Sequence, residues 1–332
     1  MINGLKIAFV YVGLVIGAGF ASGREILEYF NMKDKGETFP VVLTFILFVM
    51  ISYLILYKSK KHRITGFGEF VDFMAGRSSI VIKVIMYLFM FCGFFVMLSA
   101  GGALFEAGIG CDRRWGVMSL AVICFVVFSF DIKGIVAINT ILVPFMVIGI
   151  AYLSVTAMMY ESVTTSSISI VNNSLVSAVC YVSYNTITAG AVLVPLYPIA
   201  DKKSIKIGAL AGSGILCLLV FIIRSALNMY YDSIFNSQMP MLDLAIMRGE
   251  IYQYIYMVVL FTSICTTAVS HGFGVLSIFR FNTLKKRVIA AAVFCLAALP
   301  FSELNFSFLV SSLYSVFGYV GIFWLLILVF RK

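Results

Sequence analysis

The chain has 332 residues, 62% of them hydrophobic and 12% charged, with a net charge of +9 and a mean hydropathy of +1.05. A soluble domain is about half apolar and about a quarter charged, so this chain lacks the polar side chains to cover a water-facing surface, and lipid must be its main solvent. Unbroken apolar runs of about twenty residues select membrane-spanning helices over the alternating strands of a barrel.

The remaining composition excludes several classes. Cys92, Cys111, Cys124, Cys180, Cys217, Cys265 and Cys295 are scattered, mostly inside apolar runs, and form no C-x-x-C pair; they read as small core residues and not as a disulfide framework. His62 and His271 are too few for a histidine-rich metal centre. No P-loop, G-x-S-x-G or H-E-x-x-H motif is present, so an enzyme is not expected. The first apolar run outlasts a signal-peptide core and lacks an A-x-A-like exit, so no cleavable signal is read.

In chain order, hydropathy predicts ten spans: 5–30, 38–57, 80–108, 115–131, 134–159, 170–198, 204–230, 250–279, 287–301 and 305–330. Lys and Arg test the count. With the N-terminus inside, 17 fall on the inner side (Lys6; Lys58, Lys60, Lys61, Arg63, Arg77, Lys83; Lys133; Lys202, Lys203, Lys206; Arg280, Lys285, Lys286, Arg287; Arg331, Lys332). Six fall outside, namely Arg24, Lys33, Lys35, Arg113, Arg114 and Arg248, and Arg224 lies within a span. The excess has the sign that the positive-inside rule requires. The expectation is one transmembrane domain over 1–332 in the plasma (inner) membrane, with both termini cytoplasmic. The net charge is then topology and no sign of a nucleic-acid partner.

The first span carries Gly17-Ala18-Gly19 and Ala21-Ser22-Gly23, and the sixth carries Ser183-Tyr184-Asn185-Thr186 and Thr188-Ala189-Gly190. Glycine frees the backbone to leave a helix. Polar groups at membrane depth need a cavity or a partner. Each segment has a plainer reading, a small-residue helix crossing in the first and interhelical hydrogen-bonding in the second. Their places tip the balance: each opens a set of five spans, and five is odd, so the halves, roughly 1–160 and 165–332, would be inverted repeats. Interrupted helices at matching places in inverted halves point to a transporter binding site. An unwound first helix would offer N–H groups to a carboxylate and carbonyls to a cation.

The eighth span holds Thr262, Ser263, Thr266, Thr267 and Ser270 within nine positions. Hydroxyl oxygens are hard, neutral ligands suited to Na⁺, against the plainer reading of hydroxyls bonding back to their own helix. His271, near the end of that span, reads as structural more readily than as a proton carrier. Arg24 sits just above the first interruption as a candidate gate. Glu25, Glu28 and Glu106 are placed near the outer surface, Asp131 near the inner one, and Arg224 is expected to pair or snorkel. Lys58 to Arg63 form a solvated loop facing anionic headgroups.

With these residues in hand, the chain resembles the leucine-transporter fold of the amino acid–polyamine–organocation superfamily, and more narrowly a family of small bacterial amino acid permease-like proteins of the YkvI type. Span count and loop charge carry the resemblance over the whole chain; Ile16-Gly17-Ala18-Gly19-Phe20-Ala21-Ser22-Gly23-Arg24-Glu25 carries its specific part. The resemblance implies an all-α, ten-helix membrane protein of 5+5 inverted repeats with helices one and six interrupted. It implies a substrate site at Gly17, Ala18, Gly19, Phe20, Ser183, Tyr184 and Asn185, the amides of Ala18 and Gly19 holding a carboxylate. It further implies a Na⁺ site from the carbonyls of Gly13 and Ile16 with the hydroxyls of Thr262 and Ser263, Thr266 standing in if the register slips a turn, and Arg24 at the outer gate. The segment Phe89 to Phe95 lacks the tyrosine that often meets the substrate carboxylate in sodium symporters, and the fifth span lacks the lysine that replaces sodium in some proton-coupled relatives. Na⁺ is therefore preferred over H⁺, and no other cofactor is expected. The expected function is secondary transport of an amino acid or similar small zwitterion; the alternative is a non-transporting sensor or channel on the same fold, like the membrane subunit of a germinant receptor.

Overall fold

The computed structural model describes residues 2–30, 39–129, 133–159, 174–279, 281 and 283–331. Lys33, Lys35, Asp131, Arg280, Lys332 and the expected junction between the halves lie outside the described residues. All the regular structure within them is helical. The apolar runs cannot leave backbone groups unpaired in lipid, and a helix satisfies them within the segment.

The first span is three pieces: α1 (Ile2–Val15), α2 (Ala18–Ala21) and α3 (Arg24–Tyr29). It is followed by α4 (Phe39–His62), a short α5 (Phe67–Ala75), α6 (Ser79–Ile109), α7 (Arg113–Phe128) and α8 (Lys133–Met159). Then come α9 (Ser174–Leu193), running into a 3₁₀ segment Val194–Ile199, and α10 (Lys202–Met229). Two short helices, α11 (Tyr231–Ile234) and α12 (Pro240–Arg248), lead to α13 (Glu250–Leu276). The chain ends with α14 (Leu284–Ala298), α15 (Phe306–Leu309) and α16 (Ser315–Phe330), the last two joined through a π-helical turn. Each expected span overlaps a helical segment. Seven of these are long and apolar enough by themselves to cross a membrane; the broken first span and the shorter α7 and α14 are the remainder.

Burial divides the bundle. In the most apolar stretch of α9, 89% of the residues are buried within the protein, against 33% in α8. Thus α9 is central, while α8 turns much of its surface to lipid. The pieces of the first span, α6 and α13 complete the centre, with α1 on α10 and α6 on α13. Lipid gives helices no hydrophobic reason to associate, so close packing of small residues must hold them together. A Cβ on Gly208 would stand 2.5 Å from the Ile7 side chain, and one on Gly116 would stand 2.2 Å from the Gly101 carbonyl oxygen. Charged side chains close the ends. Arg113 donates to Ser99 Oγ (2.6 Å) and the Leu304 carbonyl (2.7 Å), tying α6 and α7 to the turn after α14. Lys58 donates to the Leu328 carbonyl (2.8 Å) and to that of Arg331, at the otherwise unpaired C-terminal end of α16. Asp201 caps α10, and hydrogen bonds from Ser204 hold its carboxyl below the usual carboxylate range.

One expectation fails. The sixth span is not broken at Ser183–Thr186, because α9 runs unbroken to Leu193. The Asn and Thr side chains there bond to the helix that bears them. Asn185 Nδ2 donates to the Tyr181 carbonyl (2.9 Å) and Thr186 Oγ1 to that of Val182 (2.7 Å). Their burial is satisfied without unwinding. The helix tightens only at Val194–Ile199, where Pro195 and Pro198 remove backbone donors.

Candidate substrate and ion site

The first span breaks where glycine makes it cheap. Gly17 is extended (φ −97°, ψ −170°), and its N–H donates to the Val15 carbonyl at 2.9 Å. The Gly13 carbonyl therefore loses the partner that a continuous helix would supply. Gly23 turns the chain a second time in the left-handed region (φ +80°), and a Cβ there would also meet Leu227 and Met241 at 2.9 Å. Between these two points Ala18, Gly19, Phe20, Ala21 and Ser22 are fully or almost fully buried.

Neighbouring elements hold this segment. The Met241 N–H, at the start of α12, donates to the Ser22 carbonyl (2.8 Å), and the Tyr256 hydroxyl of α13 to that of Ala21 (2.6 Å). Arg24, the expected gate, reaches the loop after α11, donating to the carbonyls of Phe235 (3.0 Å) and Ser237 (3.3 Å), and lies 3.8 Å from Glu28. It thus straps the outer piece of the first span to the α11–α12 connection.

On the ion side, the hydroxyl that meets the break is Thr267. Its Oγ1 donates to the Ile16 carbonyl at 3.4 Å, and a Cβ on Gly17 would stand 3.1 Å from it. Thr262 is partly exposed and bonds back to the Val258 carbonyl at 2.7 Å. The Ser263 hydroxyl bonds back to Leu260 (2.8 Å), while its carbonyl accepts from Thr266 (3.0 Å). Ser263, Thr266, Thr267 and Ser270 share the buried face of α13, so the hydroxyl set facing α1 sits about one turn beyond Thr262. Carbonyl and hydroxyl oxygens of this kind fit a hard monovalent cation. Among the described residues no group of three or more His, Cys, Asp or Glu side chains forms a transition-metal site. His271 Nδ1 donates to the Thr267 carbonyl (3.0 Å), its Nε2 lies 3.5 Å from Thr188 Oγ1, and its ring packs on Phe89, a structural setting.

Of the predicted residues in the sixth span, Tyr184 meets the outer piece of the first. Its ring centroid lies 5.6 Å from that of Tyr29 on α3. Ser183 faces α16, donating to the Gly318 carbonyl at 2.8 Å, and Asn185 is spent on its own helix. Glu25 is the residue that sequence reasoning missed. Placed at the outer surface by sequence, it is 3% exposed, its Oε2 has no partner, and its carboxylate folds over Gly19, where a Cβ would stand 2.2 Å from Oε1. The i, i+4 spacing groups Arg24 with Glu28 on one face of α3 and Glu25 with Tyr29 on another, but does not say which face turns inward.

No family model matches the chain. It is 29% identical over 323 residues to the uncharacterized membrane protein YkvI of Bacillus subtilis, covering 96% of this chain and 92% of that protein. It is 24% identical over 330 residues to the uncharacterized protein YyaD of the same organism, covering 98% and 96%. Among solved structures it superposes on a Na⁺-coupled sialic acid symporter in a substrate-bound outward-open state (TM-score 0.67, 14% identity, 96% of this chain and 75% of that one). It also superposes on MhsT in complex with L-phenylalanine (0.65, 15%, 98% and 87%) and on the Eremococcus coleocola manganese transporter (0.63, 10%, 96% and 76%). The chain is a multi-pass membrane protein with the fold of these transporters. At such identities the likeness is one of fold alone.

Proposed function

We propose that this protein is a secondary transporter, and no enzyme, that carries an amino acid or similar small zwitterion by alternating access and couples it to Na⁺. The observation that carries this reading is the break at Gly17, a non-helical stretch in the buried centre with a hydroxyl of α13 at its edge. Irregular backbone at membrane depth is tolerated where it lines a site. Gly17, Ala18, Gly19 and Phe20 then form one wall of the substrate site and Tyr184 the other, with the Ala18 and Gly19 amides available to a carboxylate. The ion set becomes the carbonyls of Gly13, Ile16 and Ser263 with the hydroxyls of Thr266 and Thr267. An ion held there touches both the broken helix and the scaffold, so its binding biases the moving helix, which is what coupling requires.

Two features support ten spans as inverted repeats. Each half carries a short helix between its second and third spans, α5 in one and α12 in the other. Spans five apart also pack on each other: α4 on α10, α6 on α13 and α7 on α14. The positive-inside count then puts both termini in the cytoplasm. A cavity of about 500 Å³ beside Phe67, Lys83, Ala191, Pro195 and Ser277 lies at the ends of α9 and α13 on that side and offers an inner exit path.

The test is uptake of labelled amino acids into proteoliposomes under an inward Na⁺ gradient, for wild type, Thr267→Val and Thr262→Val. Thr267→Val should shift the Na⁺ dependence of uptake to higher Na⁺ while Thr262→Val leaves it in place. Uptake indifferent to Na⁺ and abolished when a pH gradient is dissipated would overturn the sodium assignment. Binding without accumulation would return the protein to the sensor class.

A further inference from the structure

Buried polar atoms almost always have partners, and a cluster that lacks them calls for an explanation. Around the outer piece of the first span, Glu25 Oε2 and the hydroxyls of Tyr29, Tyr181 and Tyr184 are all buried without a partner in hydrogen-bonding geometry, although Tyr184 stands near the Glu25 carboxylate and Ser315 near the Tyr29 hydroxyl. They belong to one assembly. The ring centroids of Tyr29 and Tyr181 are 5.6 Å apart, those of Tyr181 and Tyr184 5.7 Å, and those of Tyr184 and Tyr314 4.9 Å. All four rings lie within electrostatic reach of the Glu25 carboxylate.

Among the described residues no cation answers that carboxylate. Arg24, next in sequence, is engaged by the carbonyls of Phe235 and Ser237 and by Glu28. Among the described residues no Lys, Arg or His pairs with Glu25. An uncompensated buried carboxylate is costly, and here it is set among tyrosine rings, whose faces attract positive charge. A multivalent metal ion is a poor fit, because one carboxylate leaves it short of negative charge and the other oxygens are neutral phenols. A proton would satisfy one oxygen and leave three phenols unpartnered. A small organic ammonium answers the whole set: its charge meets the carboxylate and the ring faces, and its N–H groups meet the phenolic oxygens.

We infer that Glu25, with Tyr29, Tyr181 and Tyr184, is a binding site for the ammonium group of the transported solute, so that the solute's amine is the recognised feature and its carboxylate is dispensable. This rests on the reading of the break as the substrate site, since the Glu25 carboxylate lies directly over Gly19.

The experiment is a thermal-shift assay on the purified full chain in detergent with Na⁺ present, using two matched probe sets. One is L-alanine, ethylamine and propionate; the other is L-phenylalanine, phenethylamine and 3-phenylpropionate. In at least one set, the amino acid and its amine should raise the unfolding midpoint of the wild type, and the acid should not. Glu25→Gln should weaken the apparent affinity for the amine at least tenfold. Tyr29→Phe, which removes an unpartnered hydroxyl and keeps the ring, should leave the ligand-free midpoint unchanged or higher and weaken the amine about threefold or more; it decides the matter if Glu25→Gln does not fold. Stabilisation by the acids instead of the amines, no shift from any amine, or amine affinity unchanged in both variants overturns the inference. Gly19→Leu separates the two readings. If it abolishes all binding while Glu25→Gln and Tyr29→Phe change nothing, the site stands and the ammonium assignment falls; if it leaves binding intact, the site itself is elsewhere.

Discussion

The α1–α3 stretch and α9 invite comparison, because each opens a run of five apolar spans with small or polar residues inside it. The first is rich in glycine and comes apart at Gly17 and Gly23. The second is rich in hydroxyls and amides and stays helical through Ser183–Thr186. The difference teaches what breaks a helix in lipid. Side-chain polarity alone does not, because Ser, Thr and Asn can return a hydrogen bond to a carbonyl of their own helix, as Asn185 and Thr186 do. Glycine offers no such internal partner and permits backbone angles that other residues resist. The break then persists because other elements meet the freed groups: Met241 and Tyr256 hold the carbonyls of Ser22 and Ala21, and Thr267 that of Ile16.

The largest effect is expected at Gly19→Leu, since even a Cβ there would stand 2.2 Å from Glu25 Oε1; solute binding should be lost, and near-normal uptake would move the site away from the break. Thr267→Val comes next, with apparent Na⁺ affinity falling about tenfold, or roughly 1.4 kcal/mol, read from the Na⁺ dependence of uptake. Gly23→Ala forces a Cβ into the left-handed region and against Leu227, and should destabilise by about 1–2 kcal/mol, visible as a lowered unfolding midpoint. Ser183→Ala removes the bond to Gly318 that joins α9 to α16, and should cost about 0.5–1 kcal/mol with uptake kinetics preserved. The smallest effect is expected at Thr186→Val, within about 0.5 kcal/mol, because the lost bond runs within α9. A collapse of transport in that variant would give the Thr186 hydroxyl a task that its bond to Val182 does not show.

The α13 hydroxyl that meets the break lies about one turn from the one expected. The hydroxyls between Thr262 and Ser270 are visible in the sequence, but which stripe faces α1 depends on how α13 is rotated in the bundle. Burial of Thr266 and Thr267 with partial exposure of Thr262 settles that rotation. Glu25 shows the same limit in reverse. Its place near the end of a span reads as an interfacial carboxylate. The two turns at Gly17 and Gly23 instead set α3 so that Glu25 and Tyr29 are buried in the protein while Arg24 reaches the loop after α11.

Composition and the lengths of the apolar runs by themselves determined that the chain is helical and lives in lipid, because a backbone without water must close its own hydrogen bonds. The glycines of the first span likewise marked the break, since conformational freedom is a property of the residue and needs no neighbour. Only the tertiary structure decided that α9 stays whole, that Thr267 and not Thr262 meets the first helix, and that Glu25 is buried among tyrosines. Each of these depends on which face an element turns inward and on which partner then stands within hydrogen-bond reach. Helix rotation is set by packing among distant segments, and no local pattern encodes it.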